Sequence, residues 1–196
     1  MKNLLLFLVF ACTFSFSCLG SPVPFSPIVR NYSVLDYNAG NENWAVAQDE
    51  RGVMYFGNNS GLLRYDGSRW KLFPLPTSGI VRAVYVASDR RIYVGSFEEF
   101  GYFEQNDLNL LEYHSLKEQV KGFDFHNDEI WTIVEQGGNI IFQSFGSYFI
   151  YDGKGTKGVR CSELPLNLFR IGDTLYSQLI NGGVCTFAGD KFIPLI

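Results

Sequence analysis

Residues Asn43 to Gly67 read NWAVAQDERGVMYFGNNSGLLRYDG, and the pattern returns without a gap 86 residues later as Glu129 to Gly153, EIWTIVEQGGNIIFQSFGSYFIYDG. Each copy runs through an apolar strand, a Gly-containing turn and a second apolar strand. A short polar or small-residue link follows, then a third strand ending in Tyr-Asp-Gly. A repeat of short strands calls for stacked or radially arranged sheets rather than one continuous core. Two looser copies complete the pattern, from Val81 to His114 and from Asn167 to Ile196. Gly61, Gly101, Ser147 and Gly183 are read as equivalent positions before the third strand, at spacings of 40, 46 and 36 residues. That range suits a four-stranded propeller blade, and no 3.6-residue periodicity supports a helical repeat.

The fold class expected is all-β, a β-propeller with about four four-stranded blades over residues 28–196. The blades are placed at 44–74, 81–114, 130–164 and 167–196, and 31–37 (NYSVLDY) is read as a leading strand. Asp66-Gly67 falls where a tight hairpin turn needs positive φ. In a closed propeller a leading strand completes the last blade, yet KFIPLI already gives the fourth blade an outer strand. The ring is therefore expected to be incomplete, exposing a strand edge and an apolar inter-blade face. Residues 115–128, SLKEQVKGFDFHND, form an unusually long connection. It holds one or two helical turns, then either an extra strand or a loop whose Phe123 and Phe125 cover a blade.

Ahead of this frame, Met1-Lys2-Asn3 precedes an apolar run from Leu4 to Ala11 and a small-residue exit at Ser21. Residues 1–21 read as a secretory signal peptide cut near Gly20 or Ser21, with a retained anchor or a lipoprotein at Cys18 as alternatives. The composition, with 18 Phe, 11 Tyr, 3 Trp and 20 Gly, is that of aromatic strands cut by turns. A formal charge of -4 without a basic block argues against nucleic-acid binding. Cys161 and Cys185 lie in neighbouring blades. Export permits a disulfide between them, and two buried small hydrophobes is the other reading.

Chemistry is sparse. Asp124, His126 and Asp128 have the spacing of a small metal cluster but no predictable fourth ligand. Asp49-Glu50 and Glu98-Glu99 are adjacent acids of the kind that sit in solvated turns, not carboxylates facing across a cleft. Ser60 and Ser96 have no histidine partner, and no phosphate-cradling glycine loop precedes a helix. Asn31 and Asn58 head glycosylation sequons and are read as ordinary surface or turn residues. Trp44 and Trp131 could stack on sugar rings, but packing between sheets is the expected role. No catalytic residue, cofactor or metal is assigned.

The stretches YFGNNSGLLRYDGSRW (55–70), IYVGSFEEFGYFEQND (92–107) and IIFQSFGSYFIYDG (140–153) resemble the two-component regulator propeller family. The opening NYSVLDYNAGNENWAVAQDERG (31–52) is similar to the start of the periplasmic sensor region of Bacteroidetes regulators. The resemblance covers the chain from about Ile28 to Ile196. It implies a plan of signal peptide, propeller, triple-tyrosine domain and membrane helix, with a histidine kinase or LuxR-type output. About half of such a propeller is present, and the fourth copy lacks the Tyr-Asp-Gly ending. The implied role is a periplasmic or otherwise exported, non-catalytic sensing module whose output lies elsewhere. Its partners would be an extracytoplasmic ligand, with carbohydrate one class, and the triple-tyrosine and membrane-linked output domains of a full-length relative. A homodimer is left open. The rival readings are a secreted propeller enzyme acting on glycans and a protein-interaction scaffold. The enzyme would bring Arg82, His126, Asp128 and Tyr176 into one pocket.

Overall fold

The computed structural model describes residues 27–77, 79–161, 164–180, 182–188 and 191–195. The expected signal peptide lies outside them. Two units divide the chain, one ending at Asn31 and one running from Tyr32 to Ile196. All regular structure among the described residues belongs to the second. It begins with α1 (Val34–Tyr37), followed by four antiparallel four-stranded sheets. Blade 1 is β1 (Asn43–Gln48), β2 (Met54–Asn58), β3 (Gly61–Tyr65) and β4 (Trp70–Phe73). Blade 2 is β5 (Ala83–Val86), β6 (Ile92–Ser96), β7 (Glu99–Gln105) and β8 (Leu111–Ser115). Blade 3 is β9 (Thr132–Gln136), β10 (Asn139–Gln143), β11 (Ser147–Tyr151) and β12 (Thr156–Arg160). Blade 4 is β13 (Pro165–Ile171), β14 (Thr174–Leu179), β15 (Val184–Ala188) and β16 (Lys191–Pro194). In every blade the strand order follows the sequence. The innermost strands pack in the series β1, β5, β9, β13. The architecture is an unclosed β-propeller. No helix of the described residues is long and apolar enough to cross a membrane.

The Tyr-Asp-Gly ending of the two clear repeats has a local cause. Asp66 Oδ1 accepts the N–H groups of Ser68 and Arg69 at 3.0 and 2.9 Å. Asp152 Oδ1 accepts those of Lys154 and Gly155 at 2.9 and 2.8 Å. The tyrosine before each aspartate donates its hydroxyl to the carbonyl of the glycine after it, Tyr65 to Gly67 and Tyr151 to Gly153. Both glycines sit at positive φ, +93° and +86°, where a Cβ is strained. Hydrogen bonds from the Arg69 and Ser68 backbone hold the Asp66 carboxyl at about 2. Blade 2 lacks this triplet, and Asn106 caps its turn instead, accepting N–H bonds from Leu108 and Leu110.

Three apolar layers join the blades. Tyr55, Leu62, Val94 and Phe103 fill the first junction. Tyr93, Phe100, Phe142 and Phe149 fill the second, and Ile141, Tyr148, Leu175 and Phe187 the third. Rings dominate these layers. Phe100 stacks on Phe149 at 4.7 Å, and Tyr148 meets Phe187 edge-on at 5.0 Å. Each such pair adds about 0.5–1.5 kcal/mol beyond the area it buries.

Several elements depart from the sequence reading. Residues 31–37 hold the short helix α1, not a leading strand. Ser33 and Asp36 form a capping box, with Ser33 N–H and Oγ–H donating to Asp36 Oδ2 at 2.6 and 2.8 Å. Asn38 ends the turn at φ +47°. Tyr32 and Tyr37 then close on Trp70, at 5.1 and 5.5 Å between ring centroids. Strand β7 begins at Glu99, two residues before Gly101, because Ser96 pairs with Glu99 across a two-residue loop. The long connection contributes a single 3-10 turn, Lys117–Gln119, and then a loop. Its Phe123 and Phe125 lie on Phe149 at 5.1 and 5.4 Å. Gly158 lets it settle, since a Cβ there would stand 2.8 Å from the Phe123 ring. Cys161 and Cys185 form no disulfide with each other, and burial pushes the Cys161 thiol up to about 12.

Candidate functional site

The residue just before Ala45, Ala83 and Thr132 of the inner strands is Trp44 in blade 1, Arg82 in blade 2 and Trp131 in blade 3. Their equivalence follows from register. Ala45, Ala83 and Thr132 pair with Gly57, Gly95 and Gln143. Arg82 and Trp131 donate their N–H groups to the carbonyls of those last two. In blade 1 the ladder shifts between Asn43 and Ala45, which sets Trp44 out of the regular pleat. Three successive blades thus deliver one side chain each to the same end of the inner strands. They converge. The Arg82 guanidinium lies 3.7 Å from the Trp44 ring centroid and 5.2 Å from that of Trp131. The two indoles meet edge-on at 6.4 Å.

The hairpins between the second and third strands add an outer row, Asn59, Phe97 and Phe145. Each is the first residue of a two-residue loop. Trp44 Nε1 donates to Asn59 Oδ1 at 2.7 Å, and Asn59 in turn donates to Glu42 at 2.9 Å. Phe145 stacks on Trp131 at 5.8 Å. Phe97 bridges to Glu129, whose carboxylate accepts Arg82 Nε–H at 2.6 Å. Glu129 balances the charge of Arg82, while Glu42 adds a carboxylate beside Asn59. Arg82 Nη1 is buried and has no hydrogen-bond partner among the described residues. Trp44 is 44% exposed, Phe145 45% and Phe97 53%. Trp44 and Trp131 therefore do not fill the gap between sheets as the sequence reading expected. The bulge at Trp44 and the stacked guanidinium hold them at the rim. A cation over an aromatic face contributes about 0.5–1 kcal/mol when exposed and about 2 when desolvated.

The residues that an enzyme would have gathered are dispersed among other partners. Arg82 faces Trp44 and Glu129. Asp128 is buried against Ser144 Oγ at 2.6 Å and Arg160 at 3.2 Å. His126 is exposed beside Asp124 at 3.1 Å, and Tyr176 stacks on Phe169. Burial would raise Asp128, but bonds from Ser144, Ser147 and the His126 N–H, with Arg160, hold its carboxyl below the usual range. Asp124, His126 and Asp128 do not converge, and no metal-holding group occurs among the described residues. Asp49 caps a hairpin through the Arg51 and Val53 N–H groups, and Glu99 is buried under Tyr113 and Ser115. Asn58 is likewise buried, binding Gly40 and Glu42. A groove of about 460 Å³ opens between blades 1 and 2 at the opposite end of the inner strands, past Arg51, Arg90, Arg91 and Glu104. Two of its arginines are already paired, Arg51 with Asp49 and Arg91 with Glu104.

No protein-family model matches this sequence, and no curated protein is similar enough to match it. Solved structures do match. The extracellular domain ascribed to a one-component system of B. thetaiotaomicron is 16% identical, with a TM-score of 0.58. The match covers 79% of this chain and 21% of that one. The extracellular domain ascribed to a hybrid two-component system of the same organism is 15% identical, with a TM-score of 0.58 and coverages of 79% and 22%. A catalytically inactive virginiamycin B lyase from Staphylococcus aureus, with quinupristin, is 10% identical, with a TM-score of 0.65 and coverages of 84% and 58%. Extracellular domains ascribed to one- and two-component systems and a lyase thus share this fold, and the chain spans only part of each. At such identities the likeness establishes architecture: these are consecutive blades of a β-propeller.

Proposed function

We propose that the chain is an extracytoplasmic, non-catalytic ligand-sensing module of a transcriptional or two-component regulator. Its ligand seat is the Trp44–Arg82–Trp131 face. The observation that carries this is the delivery of Trp, Arg and Trp to one exposed end by three consecutive blades. A seat shared by three blades reads ligand occupancy as a change in how the blades pack. The fold's occurrence in extracellular domains ascribed to one- and two-component systems supports the placement outside the cytoplasm. In a full-length relative, a triple-tyrosine domain and a membrane-linked output would receive the change.

Carbohydrate is the ligand class that suits the seat. Indole faces stack on the apolar side of a sugar ring, while Asn59 and Glu42 offer polar contacts at the rim. The balanced Arg82–Glu129 pair favours a neutral ring over a charged one. The test is a titration of the protein with a panel of neutral oligosaccharides, followed by tryptophan fluorescence and calorimetry. Trp44→Ala and Trp131→Ala should each weaken binding about tenfold or more, as truncation of a buried aromatic anchor does. Binding unmoved by both substitutions would remove the seat from this face. Cleavage of the bound oligosaccharide would favour the secreted-enzyme reading instead.

A further inference from the structure

We infer that Asp128 and Arg160 are positioning residues for the aromatic–guanidinium seat, holding Glu129 where it can clamp Arg82. The inference rests on the reading of that face as a ligand seat and names what controls it. Glu129 directly follows the long connection of residues 115–128, so its place depends on how the connection's end is fixed. On the blade 2 side the backbone does this. Glu98 N–H donates to Asp128 O at 2.8 Å, Phe97 bridges to Glu129, and Ile130 N–H donates to Ser96 O at 3.0 Å. On the blade 3 side Asp128 supplies the side-chain hold, accepting Ser144 Oγ–H at 2.6 Å and Arg160 Nη1–H at 3.2 and 3.4 Å.

Arg160 comes from β12, an outer strand, and gathers the connection from several directions. Its Nη1 also donates to Ser147 Oγ at 2.7 Å and its Nη2 to the Asp124 carbonyl. Its guanidinium lies 4.7 Å over the Phe123 ring. The Asp128 side chain is 2% exposed, while that of Arg160 is 41% exposed. One end of the network is thus locked in the interior and the other is open to solvent. The next residue after Asp128 makes the 2.6 Å contact with Arg82. A chain of direct contacts therefore runs from an accessible outer-strand arginine to the guanidinium between Trp44 and Trp131. If Arg160 lets go, Asp128 loses its charged partner, the connection's end loosens, and Arg82 is freed from Glu129.

Proton exchange at Arg82 Nε, the donor to Glu129, reads this directly by nitrogen-15 NMR and needs no ligand. In Arg160→Ala that proton should exchange about tenfold faster, within the range of couplings between sites. The Val46 amide in β1 should not change, and Arg160→Lys, which keeps the charge without the fork, should fall between. In Glu129→Ala, where the clamp is already broken, adding Arg160→Ala should have no further effect, as a coupled pair requires. Ser144→Ala removes another bond to Asp128 and is read the same way should Arg160→Ala fail to fold. Unchanged Arg82 exchange in a folded variant overturns the inference. So does an equal acceleration of amides in every blade, which would mean a purely global role. Faster Arg82 exchange in a protein that binds no oligosaccharide upholds the coupling and sinks only the ligand reading.

Discussion

At the scale of single residues, close approach between blades is set at one position of the second strand. Val81 and Ile130, which lead into blades 2 and 3, pass directly over Gly57 and Gly95. A Cβ on Gly57 would lie 2.6 Å from the Val81 carbonyl oxygen, and one on Gly95 would lie 2.6 Å from Ile130 Cβ. Neither glycine needs positive φ, so their role is space alone. Blade 3 carries Gln143 at this position. There the side chain itself reaches the incoming segment, donating to the Pro165 and Leu166 carbonyls at 2.9 and 3.2 Å and accepting from Leu168 N–H at 2.9 Å. Gly95→Ala is expected to cost about 1–3 kcal/mol through overpacking, read as a lower denaturant midpoint with an unchanged slope. A cost near zero would mean that the junction is looser than its contacts imply. The Gly-to-Gln change is visible in the sequence, but its meaning is not, because the partner strand comes from another blade.

At the scale of elements, the repeat of Asn43–Gly67 in Glu129–Gly153 gave the fold away while concealing the site. A gapless alignment sets Trp44 against Ile130. In the structure the inner hairpin of blade 1 turns through residues 50–52, ending at Gly52, and that of blade 3 turns through Gly137 and Gly138 alone. The one-residue difference slides the inner strand and brings Trp44 level with Trp131. The cluster with Arg82 was therefore unreadable without the ladder registers, although all three residues could be named. Blade repeats and turn positions belong to the legible part. The helix at 34–37 does not, because its capping box competes with an alternating pattern. Hairpin equivalence also exposes an odd residue. Arg90 N–H donates to Ala87 O as Gly52 N–H donates to Asp49 O, yet Arg90 holds φ +68° where blade 1 uses glycine at +82°. The left-handed region costs an L-residue about 1–2 kcal/mol. Arg90→Gly should thus stabilise the protein by about 1 kcal/mol in chemical denaturation, after the entropy that glycine gains in the unfolded chain is set against the relieved strain. A destabilised variant would mean that the Arg90 side chain contributes more than its exposed place suggests.

At the scale of the whole molecule, the two outward faces of the blade stack are unequal. Blade 1 is dressed by its own chain, since Tyr32 and Tyr37 close on Trp70, which also stacks on Tyr65 at 4.4 Å. Blade 4 has no such cover among the described residues. Tyr176 holds the register place of Tyr55 and Tyr93, which are 1% exposed because the next blade lies over them. Its cross-strand partner Phe169 is 44% exposed, Ile193, two strands away beyond Thr186, is 50% exposed, and Ile171 stands out further at 62%. The row that elsewhere builds a junction is here a surface of apolar side chains, and each Å² removed from water is worth about 25 cal/mol. Large apolar patches on a soluble chain drive association. The protein is therefore expected to self-associate through blade 4 in a concentration-dependent way. Phe169→Lys combined with Ile193→Lys should shift it to monomer in sedimentation velocity, because neither side chain supports the buried layer of Leu168, Leu175 and Phe187 behind them. The matching control is a pair of lysines on the exposed rim at Leu108 and Leu110, which should leave association unchanged. A wild-type chain that sediments as a monomer at every concentration would overturn this expectation.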